Sequence, residues 1–360
     1  MRALTIQEHG FLDRVTFRDD LPEPELSDAG DVRIRVSAAS LNHLDLFVVA
    51  GLPRLKQPMP WILGSDAGGI VDLIGPQVTT VRVGDRVVVN PGVGCGVCAY
   101  CQSGEHPLCL RFAVLGEHRP GSFAECVVVP ATHVRTIPAS IPDDLAAAFP
   151  LASLTAWRMM VTRAKVTDKD LVLIQGIGSP VAIAALQIAK ARGATVWVTS
   201  SSDEKLVRAR ALGADDGMNY RDVDVAHEVR SRTGKRGADV VVDNSGKESW
   251  ASSLGALGRR GRLVTCGATT GPMVETDVRR LFWNQWTIMG STMSSEAEFH
   301  AVMDEFIAGR LTMPVDSVVP IERGREAFER VASGKHFGKV VIQVAQTGRG
   351  KGAGERGGAG

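Results

Sequence analysis

The N-terminal part of the chain consists of short apolar runs separated by glycine and proline. Such runs lie at 32–40, 85–90 and 126–130, and each is rich in valine. Runs of this kind are typical of strands, and the glycines and prolines between them are typical of turns. The pattern therefore predicts a β-rich domain over residues 1–150.

A different pattern begins near residue 153. Strand-like runs now alternate with helix-like stretches such as 181–191 and 203–212, and glycines follow the helix-like stretches at helix-stop positions. The strand-like runs lie at 171–175, 195–200, 239–243, 262–267 and 286–290. Strand and helix in alternation predict a parallel, doubly wound α/β sheet of the Rossmann type over residues 151–292.

The C-terminal part returns to a mixed pattern. One apolar helical face is predicted there, followed by a closing strand at 337–344. The residues of that face are Phe299, Val302, Met303, Phe306 and Ile307. Residues 293–345 form this last segment. The tail at 346–360 is rich in glycine and is predicted to be disordered.

Length and charge narrow the function classes. A chain of 360 residues favours two domains over one compact core. Its 41 basic and 40 acidic side chains nearly cancel, so nucleic acid and anionic membranes are not expected partners. We find no signal-peptide pattern and no apolar run of membrane-spanning length, and we expect a cytoplasmic protein.

Four of the six cysteines are clustered within residues 94–110. They are Cys95, Cys98, Cys101 and Cys109, and in a reducing cytosol such a cluster indicates a metal site rather than disulfides. Four thiolates fill every position of a tetrahedral zinc ion and leave none for water or substrate, so we predict one structural Zn²⁺ per chain. Cys126 and Cys266 lie in apolar runs and are predicted core residues.

Several motifs together resemble the medium-chain dehydrogenase/reductase superfamily. They are the cysteine spacing, 64-GSDAGGIVDLIG-75, 84-GDRVVV-89, the glycine-containing loop after 171–175, 213-GADDGMNY-220 and 338-GKVVIQ-343. The resemblance covers residues 1 to 344 and is closest to zinc-binding alcohol dehydrogenases and quinone oxidoreductase-like proteins. It implies a GroES-like catalytic domain over 1–150, completed by 293–345, with the active site in a cleft beside the Rossmann-type domain.

Members of this family that oxidise alcohols hold a second, catalytic zinc. The resemblance places Asn42, Ser65 and Leu151 at the positions of its ligands, and none of the three replaces a thiolate or imidazole on zinc. Asp66 stands in place of the family's glutamate. A different site built from His43, Asp45 and Asp66 is a weaker alternative, because such an Asp is more simply a capping or hydrogen-bonding residue of a turn and one His with carboxylates is too loose a pattern.

The segment 176-GIGSPVAIAALQIAK-190 follows a strand and opens a helix, which is the context of a dinucleotide fingerprint. Its predicted cofactor contacts are Gly176, Gly178, Ser179 and Val181. Ser179, Pro180 and Ala182 depart from the usual pattern, and Pro180 removes one N–H donor. The resemblance adds Asn244 and Gly267 on the cofactor-side loops.

The end of the second strand of this domain indicates which cofactor binds. Ser200 stands where NAD-using relatives have an acid, and the resemblance implies that Ser201, Lys205 and Tyr220 receive a 2′-phosphate. NADP(H) is therefore predicted over NAD(H), although Asp203 and Glu204 lie nearby. A helix cap with a solvated lysine remains the simpler alternative.

Without a catalytic zinc, the resemblance implies NADPH-dependent hydride transfer to an activated C=C bond or a quinone. Asn42, His43 and Ser65 are the predicted polar groups of the cleft, with His43 as a hydrogen-bond donor or proton source. The run 46-LFVVAG-51 predicts an apolar wall and a small hydrophobic, conjugated substrate.

Two other functions stay open at this point. One is a carbonyl or alcohol oxidoreductase with an unconventional site, and the other is a repurposed scaffold with a non-redox role whose loop at Ser179 and Pro180 has lost its purpose. The aromatic residues of 282-FWNQW-286 precede the last predicted strand of the nucleotide domain, and a homodimer is expected through that strand.

Overall fold

The computed structural model describes residues 1–53 and 55–345. Eighteen strands lie within these described residues. They are β1 (Ala3–Ile6), β2 (Thr16–Arg18), β3 (Asp31–Ser40), β4 (Trp61–Ile62), β5 (Asp66–Ile74), β6 (Arg86–Val89), β7 (Gly92–Val93), β8 (Ala113–Val114), β9 (Cys126–Pro130), β10 (Val134–Thr136), β11 (Leu171–Ile174), β12 (Thr195–Ser200), β13 (Asp216–Asn219), β14 (Ala238–Val242), β15 (Leu257–Thr265), β16 (Thr287–Gly290), β17 (Val315–Pro320) and β18 (Lys339–Gln343). The predicted tail at 346–360 lies outside these residues.

The helices connect these strands. Within the described residues they are α1 (His43–Ala50), α2 (Ala99–Gln102), α3 (Asp143–Ala148), α4 (Pro150–Trp157), α5 (Pro180–Ala191), α6 (Asp203–Ala211), α7 (Val225–Arg232), α8 (Trp250–Ala256), α9 (Val278–Trp283), α10 (Glu296–Ile307) and α11 (Gly324–Ala332). None of them offers an apolar stretch long enough to cross a lipid bilayer.

One mixed sheet is built from both ends of the chain. Its order is β10-β6-β5-β3-β18-β17, and β9 also pairs with β3. Strand β18 runs antiparallel to β3, with Val341 opposite Ser40. The apolar runs predicted at 32–40, 85–90 and 126–130 are β3, β6 and β9. The C-terminal segment therefore completes the N-terminal sheet.

The second sheet is parallel throughout, in the order β13-β12-β11-β14-β15-β16. This is the doubly wound order of a Rossmann-type domain, in which ligands bind where the strand order reverses, between β11 and β14 here. The predicted α/β fold class, with a GroES-like and a Rossmann-type domain, is confirmed. The central strands β11 and β14 consist mainly of buried valine, leucine and isoleucine, as expected for strands covered on both faces.

Strand β15 begins five residues before the run predicted at 262–267. Its register shifts between Ala238 and Val240 of the neighbouring β14, and Arg260 has a φ of 60°. The stretch Gly258–Gly261 has the composition of a turn, and the irregularity that allows it inside a strand depends on pairing with β14, which sequence alone does not reveal.

Helix α10 packs on the core of the parallel sheet although the following strands join the other sheet. Phe306 of α10 stacks on Phe149 with ring centroids 4.1 Å apart, and Phe299 and Met303 are fully buried. The predicted apolar helical face is therefore present. The C-terminal segment thus contacts both sheets and borders the space between them.

Candidate active site and zinc lobe

The four clustered cysteines project from a lobe whose base is the pair β7 and β8. Their four Sγ atoms all lie within 4.8 Å of one another, and Cys95 Sγ is 4.0 Å from Cys101 Sγ. Sulfurs on a tetrahedral zinc ion stand about 3.8 Å apart for Zn–S bonds of about 2.3 Å. The donor set therefore fits one zinc ion with little movement.

Backbone N–H groups favour the thiolate form of Cys95, whereas burial raises the pKa of the Cys101 thiol to about 12. Backbone N–H groups of Cys95 and Arg111 donate to Cys109 Sγ at 3.4 and 3.3 Å. N–H groups of Val97 and Cys98 lower the pKa of the Cys95 thiol to about 5. In the part of the chain that the structure describes, this cluster is the one group of three or more His, Cys, Asp or Glu side chains spaced to hold a metal ion.

A cavity of about 420 Å³ lies between the two sheets, at the carboxyl ends of β11 and β14. Apolar side chains form much of its wall, among them Phe47, Val114, Leu151 and Met293. Asn42 and His43 enter it from the N-terminal side, and the glycine-rich loop before α5 borders it from the other side. Its position is that of the predicted cleft.

At the positions of the missing catalytic-zinc ligands the structure has a buried hydrogen-bond network around Asp66. Asp66 Oδ2 accepts from Asn42 Nδ2 at 2.8 Å and from Lys339 Nζ at 2.7 Å. Asp66 Oδ1 accepts from the backbone N–H of Leu151 at 2.8 Å. Lys339 Nζ also donates to Asn42 Oδ1 at 2.8 Å. Lys339 and Asp66 are both 0% exposed, so the Lys339 ammonium and the Asp66 carboxylate form a fully buried ion pair in this network.

Asn42 is held in place from two directions. Its backbone N–H donates to Asp45 Oδ2 at 2.7 Å at the start of α1, while Lys339 and Asp66 hold its amide. Asp45 therefore caps the helix, and the alternative metal site with His43 and Asp66 is not formed. Burial raises the pKa of the Asp45 carboxyl to about 7. Asn42 lines the cavity and is 7% exposed.

The other two predicted catalytic residues differ in position. His43 lines the cavity beside Phe47, and burial lowers its pKa, so its imidazole is neutral near pH 7. Ser65 was expected in the cleft, but it is fully buried behind the cavity wall and its Oγ donates to Leu115 O at 2.8 Å. The structure therefore does not bring Ser65 to Asn42 and His43 in the cavity.

The apolar wall predicted from residues 46–51 is only partly present. Phe47 lines the cavity, but Val49 points into the core and Ala50 faces solvent, since a helix turns successive side chains to different sides. Glu117 brings a carboxyl group to the same cavity, and burial raises its pKa. Sequence reasoning missed Glu117, which lies in an irregular turn without a motif.

The glycine-rich loop ends in a regular helix cap. Ser179 is the N-cap of α5, where its Oγ accepts from Ala182 N at 3.4 Å, and Pro180 occupies the first helical position. Proline suits that position because its missing N–H has no helical partner there. Gly176 and Gly178 have φ of 67° and 120°, which favour glycine. The departures at Ser179 and Pro180 are therefore compatible with a cofactor loop.

A chain of buried hydrogen bonds supports this loop from behind. Gly176 N donates to Thr199 Oγ1 at 3.1 Å, and Thr199 Oγ1 donates to Gln175 Oε1 at 2.7 Å. Gln175 Nε2 donates to Ser253 Oγ at 3.1 Å, and Ser253 Oγ donates to Asp243 Oδ2 at 2.7 Å. Each group in this series donates to the next, and the series ends at the Asp243 carboxylate, which can only accept. The series of hydrogen bonds therefore has one direction and holds Gly176 in position.

The predicted 2′-phosphate residues lie beyond the cavity wall. Lys205 packs against the loop, since a Cβ at Gly178 would be 3.2 Å from Lys205 Nζ, and that Nζ donates to Gly334 O at 2.7 Å. Tyr220 is half exposed, and its backbone N–H donates to Ser200 O. Ser201 follows Ser200 directly at the end of β12. Lys205 is therefore the one of these four residues shown against Gly178, and Ser200 is buried at 3% exposure.

On the opposite loops, Asn244 and Gly267 line the cavity as predicted. Cys266, expected in the core, instead lines the cavity and donates from Sγ to Asn244 Oδ1 at 3.1 Å. Cys126 is buried, as expected. Gly176, Ser179 and Val181 are also in the wall, so the structure collects five predicted cofactor residues around one space.

Comparison with known proteins agrees with this architecture. Residues 28–139 match the family model described as alcohol dehydrogenase GroES-like domain, and residues 180–308 match the one described as zinc-binding dehydrogenase. An alcohol dehydrogenase of Geobacillus stearothermophilus is 31% identical over 332 residues, 90% of this chain and 95% of the relative.

Solved structures resemble the whole described chain. A NAD-dependent alcohol dehydrogenase is 41% identical with a TM-score of 0.92, and the match covers 96% of this chain and 100% of the other. A crotonyl-CoA carboxylase/reductase is 25% identical with a TM-score of 0.90, covering 97% and 89%. The fold therefore occurs both in an alcohol dehydrogenase and in a protein with reductase in its name.

Proposed function

The chain belongs to the zinc-type medium-chain dehydrogenase/reductase superfamily, and from that premise we propose that it is an NADPH-dependent reductase of activated C=C bonds or quinones. Membership and the dehydrogenase relatives make it an NAD(P)-dependent oxidoreductase. The cysteine cluster indicates one structural zinc. The choice of substrate bond and of cofactor is our proposal.

One observation carries the proposal, namely the buried network at Asp66. Zinc in a catalytic site polarises an oxygen and needs at least three protein ligands with an open position. Asn42, Ser65 and Leu151 at those positions offer no such set, and the Lys339 ammonium fills the hydrogen-bonding capacity of Asp66 instead. Hydride transfer to a carbon already activated by conjugation does not require that metal.

When bound, the reduced nicotinamide supplies the hydride. Asn42 has a second amide N–H, because Nδ2 donates only one hydrogen bond to Asp66. In our proposal that N–H donates to the developing enolate oxygen. The Lys339 ammonium on Asn42 Oδ1 polarises the amide, which strengthens this donor. Hydrogen bonds to a charged group contribute about 1.5–3 kcal/mol each.

His43 is proposed as the second donor. Its pKa is lowered by burial, so a neutral imidazole donates one N–H and carries no positive charge at neutral pH. A neutral donor suits an uncharged, hydrophobic substrate, since it adds no charge to be desolvated. The apolar side chains of Phe47, Val114 and Met293 would exclude water around such a substrate.

For the cofactor we propose NADP(H), with NAD(H) as the weaker candidate. Ser200 stands in place of an acid at the ribose position. Lys205 packs against Gly178, and Ser201 and Tyr220 adjoin Ser200 at the end of β12, where they would receive a 2′-phosphate. One similar structure is named a NAD-dependent alcohol dehydrogenase, which favours NAD(H) for that protein. Separate fluorescence titrations with NADPH and NADH test this preference.

A carbonyl or alcohol oxidoreductase is the second candidate, and the names of the relatives favour it. The Asp66 network argues against it, because a saturated carbonyl needs stronger polarisation than a conjugated one. The non-redox alternative rests on Ser179 and Pro180 and on the absence of arginines between Asp45 and Gly51. The regular helix cap at Ser179 and Pro180 is compatible with a cofactor loop and so supports the redox candidates.

We further propose a homodimer through β16. This strand is the edge of the parallel sheet, and Phe282 and Trp283 beside it are 64% and 74% exposed. A second copy pairing with the same strand would continue the sheet and cover the aromatic side chains.

The function is tested with the zinc-loaded protein and a panel of acceptors. NADPH oxidation is followed with a cyclic enone, an enal and a benzoquinone, and with a saturated ketone of similar size as the matched control. The proposal expects turnover of the conjugated acceptors at least tenfold above the saturated ketone. Preference for the saturated ketone, or for the reverse reaction with a simple alcohol, would support the second candidate.

A further inference from the structure

His336 is a buried histidine with an unused ring nitrogen in the wall of the cavity. It is 6% exposed, and its Nδ1 has no hydrogen-bond partner within residues 1–53 and 55–345. A buried polar atom without a partner costs free energy, which favours a ligand that satisfies it. No sequence motif marks this residue.

The segment that carries His336 is packed directly on the glycine-rich loop. Gly338 N donates to Gly178 O at 3.0 Å, and Lys205 Nζ donates to Gly334 O at 2.7 Å. His336 therefore lies between Gly334, which is hydrogen-bonded to Lys205, and Gly338, which is hydrogen-bonded to the loop. The N-terminus of α5, whose N–H groups favour anions, borders the same cavity through Ser179 and Val181.

We propose that His336 is a direct ligand of the phosphate groups of the bound dinucleotide, and that it binds them from the C-terminal segment that packs on the glycine-rich loop. This inference rests on the proposed nicotinamide cofactor. It adds a third source of phosphate recognition to the glycine-rich loop and Lys205.

The charges around His336 predict that this contact depends on pH. Burial, together with the positive charge of Lys205 and the neighbouring His43, lowers the pKa of His336 to about 4 in the free protein. Asp316 opposes this and Arg330 adds to it, but the two form an ion pair at 2.9 Å. An anionic phosphate beside the ring raises its pKa, so binding takes up protons and strengthens as pH falls.

Isothermal titration of the zinc-loaded protein with NADPH tests the proposal. The variants are His336→Ala, which removes the donor, and His336→Asn, whose amide replaces an Nδ1 donor without titrating. His300→Gln is the matched control, because His300 also has a buried Nδ1 without a partner in the described chain but does not line the cavity. Titrations from pH 6 to 8 in two buffers of different ionisation enthalpy report the protons taken up.

We expect His336→Ala to weaken NADPH binding about tenfold to a hundredfold, the effect of one hydrogen bond to a charged group. His336→Asn should recover much of that affinity but not the extra proton uptake of the wild type. The 2′-phosphate titrates in all variants alike, so the difference from wild type is diagnostic.

The outcomes separate this inference from the function it rests on. Wild-type protein that binds neither NADPH nor NADH would overturn the proposed function. Wild-type protein that binds NADPH, with His336→Ala showing the same dissociation constant and proton uptake as His300→Gln, would overturn only the role of His336.

Discussion

The buried ion pair of Lys339 and Asp66 provides the sharpest test of the network that replaces the metal. The change is Lys339→Met, which keeps an unbranched side chain, one atom shorter, and removes its charge. At 2.7 Å the pair attracts by about 6 kcal/mol at an effective dielectric constant of about 20, and the cost of desolvating both charges offsets much of this. Losing one partner leaves Asp66 buried and uncompensated, which costs about 3–5 kcal/mol of stability.

The assay is urea unfolding of the zinc-loaded protein without cofactor, followed by tryptophan fluorescence. Asp66→Asn and the double variant Asp66→Asn/Lys339→Met complete a double-mutant cycle, in which the double variant should be clearly more stable than the sum of the single effects predicts. Arg323→Met is the control, because the pair Arg323–Glu326 is exposed and its loss should change stability little. A loss below about 1 kcal/mol for Lys339→Met, with additive single effects, would show that the pair does not stabilise the fold, because removing one partner of a buried ion pair is expected to cost about 3–5 kcal/mol.

Three further predictions follow from the site. Elemental analysis should find one zinc per chain, falling to none in Cys95→Ser/Cys98→Ser, whereas two per chain would contradict the interpretation of Asn42. Thr199→Val removes the acceptor of Gly176 N and should weaken NADPH binding about tenfold with kcat at saturating NADPH nearly unchanged; equal binding by fluorescence titration would show that the hydrogen-bond chain does not position the loop. Trp283→Lys should shift the protein toward monomer in analytical ultracentrifugation, and a monomeric wild type would exclude the β16 dimer.

Sequence patterns predicted the strands and helices whose periodicity is local. The valine-rich β3 and the helix α5 are recognisable because their own neighbours in sequence determine which side is buried. The cysteine lobe was predictable for the same reason, since its four ligands lie within fifteen positions. The family resemblance supplied the order in which these elements assemble.

The decisive residues of the site were not predictable in this way. Lys339 is separated from Asp66 by 273 residues, and a lysine at the start of a strand usually faces solvent. His336 lies in a short loop without a motif, and its place in the cavity wall follows from the packing of that loop on Gly178. Ser65 shows the opposite error, because its motif position indicated the cleft while the chain turns its side chain toward Leu115.

The most direct measurement is the position of deuterium after reduction of an enone with NADPH that carries two deuterium atoms at the nicotinamide C4. The zinc-loaded protein is incubated with a cyclic enone, and the product is analysed by NMR and mass spectrometry. We expect a saturated ketone with one deuterium at the β-carbon. An allylic alcohol with deuterium at the former carbonyl carbon would contradict this expectation and assign the site to carbonyl reduction.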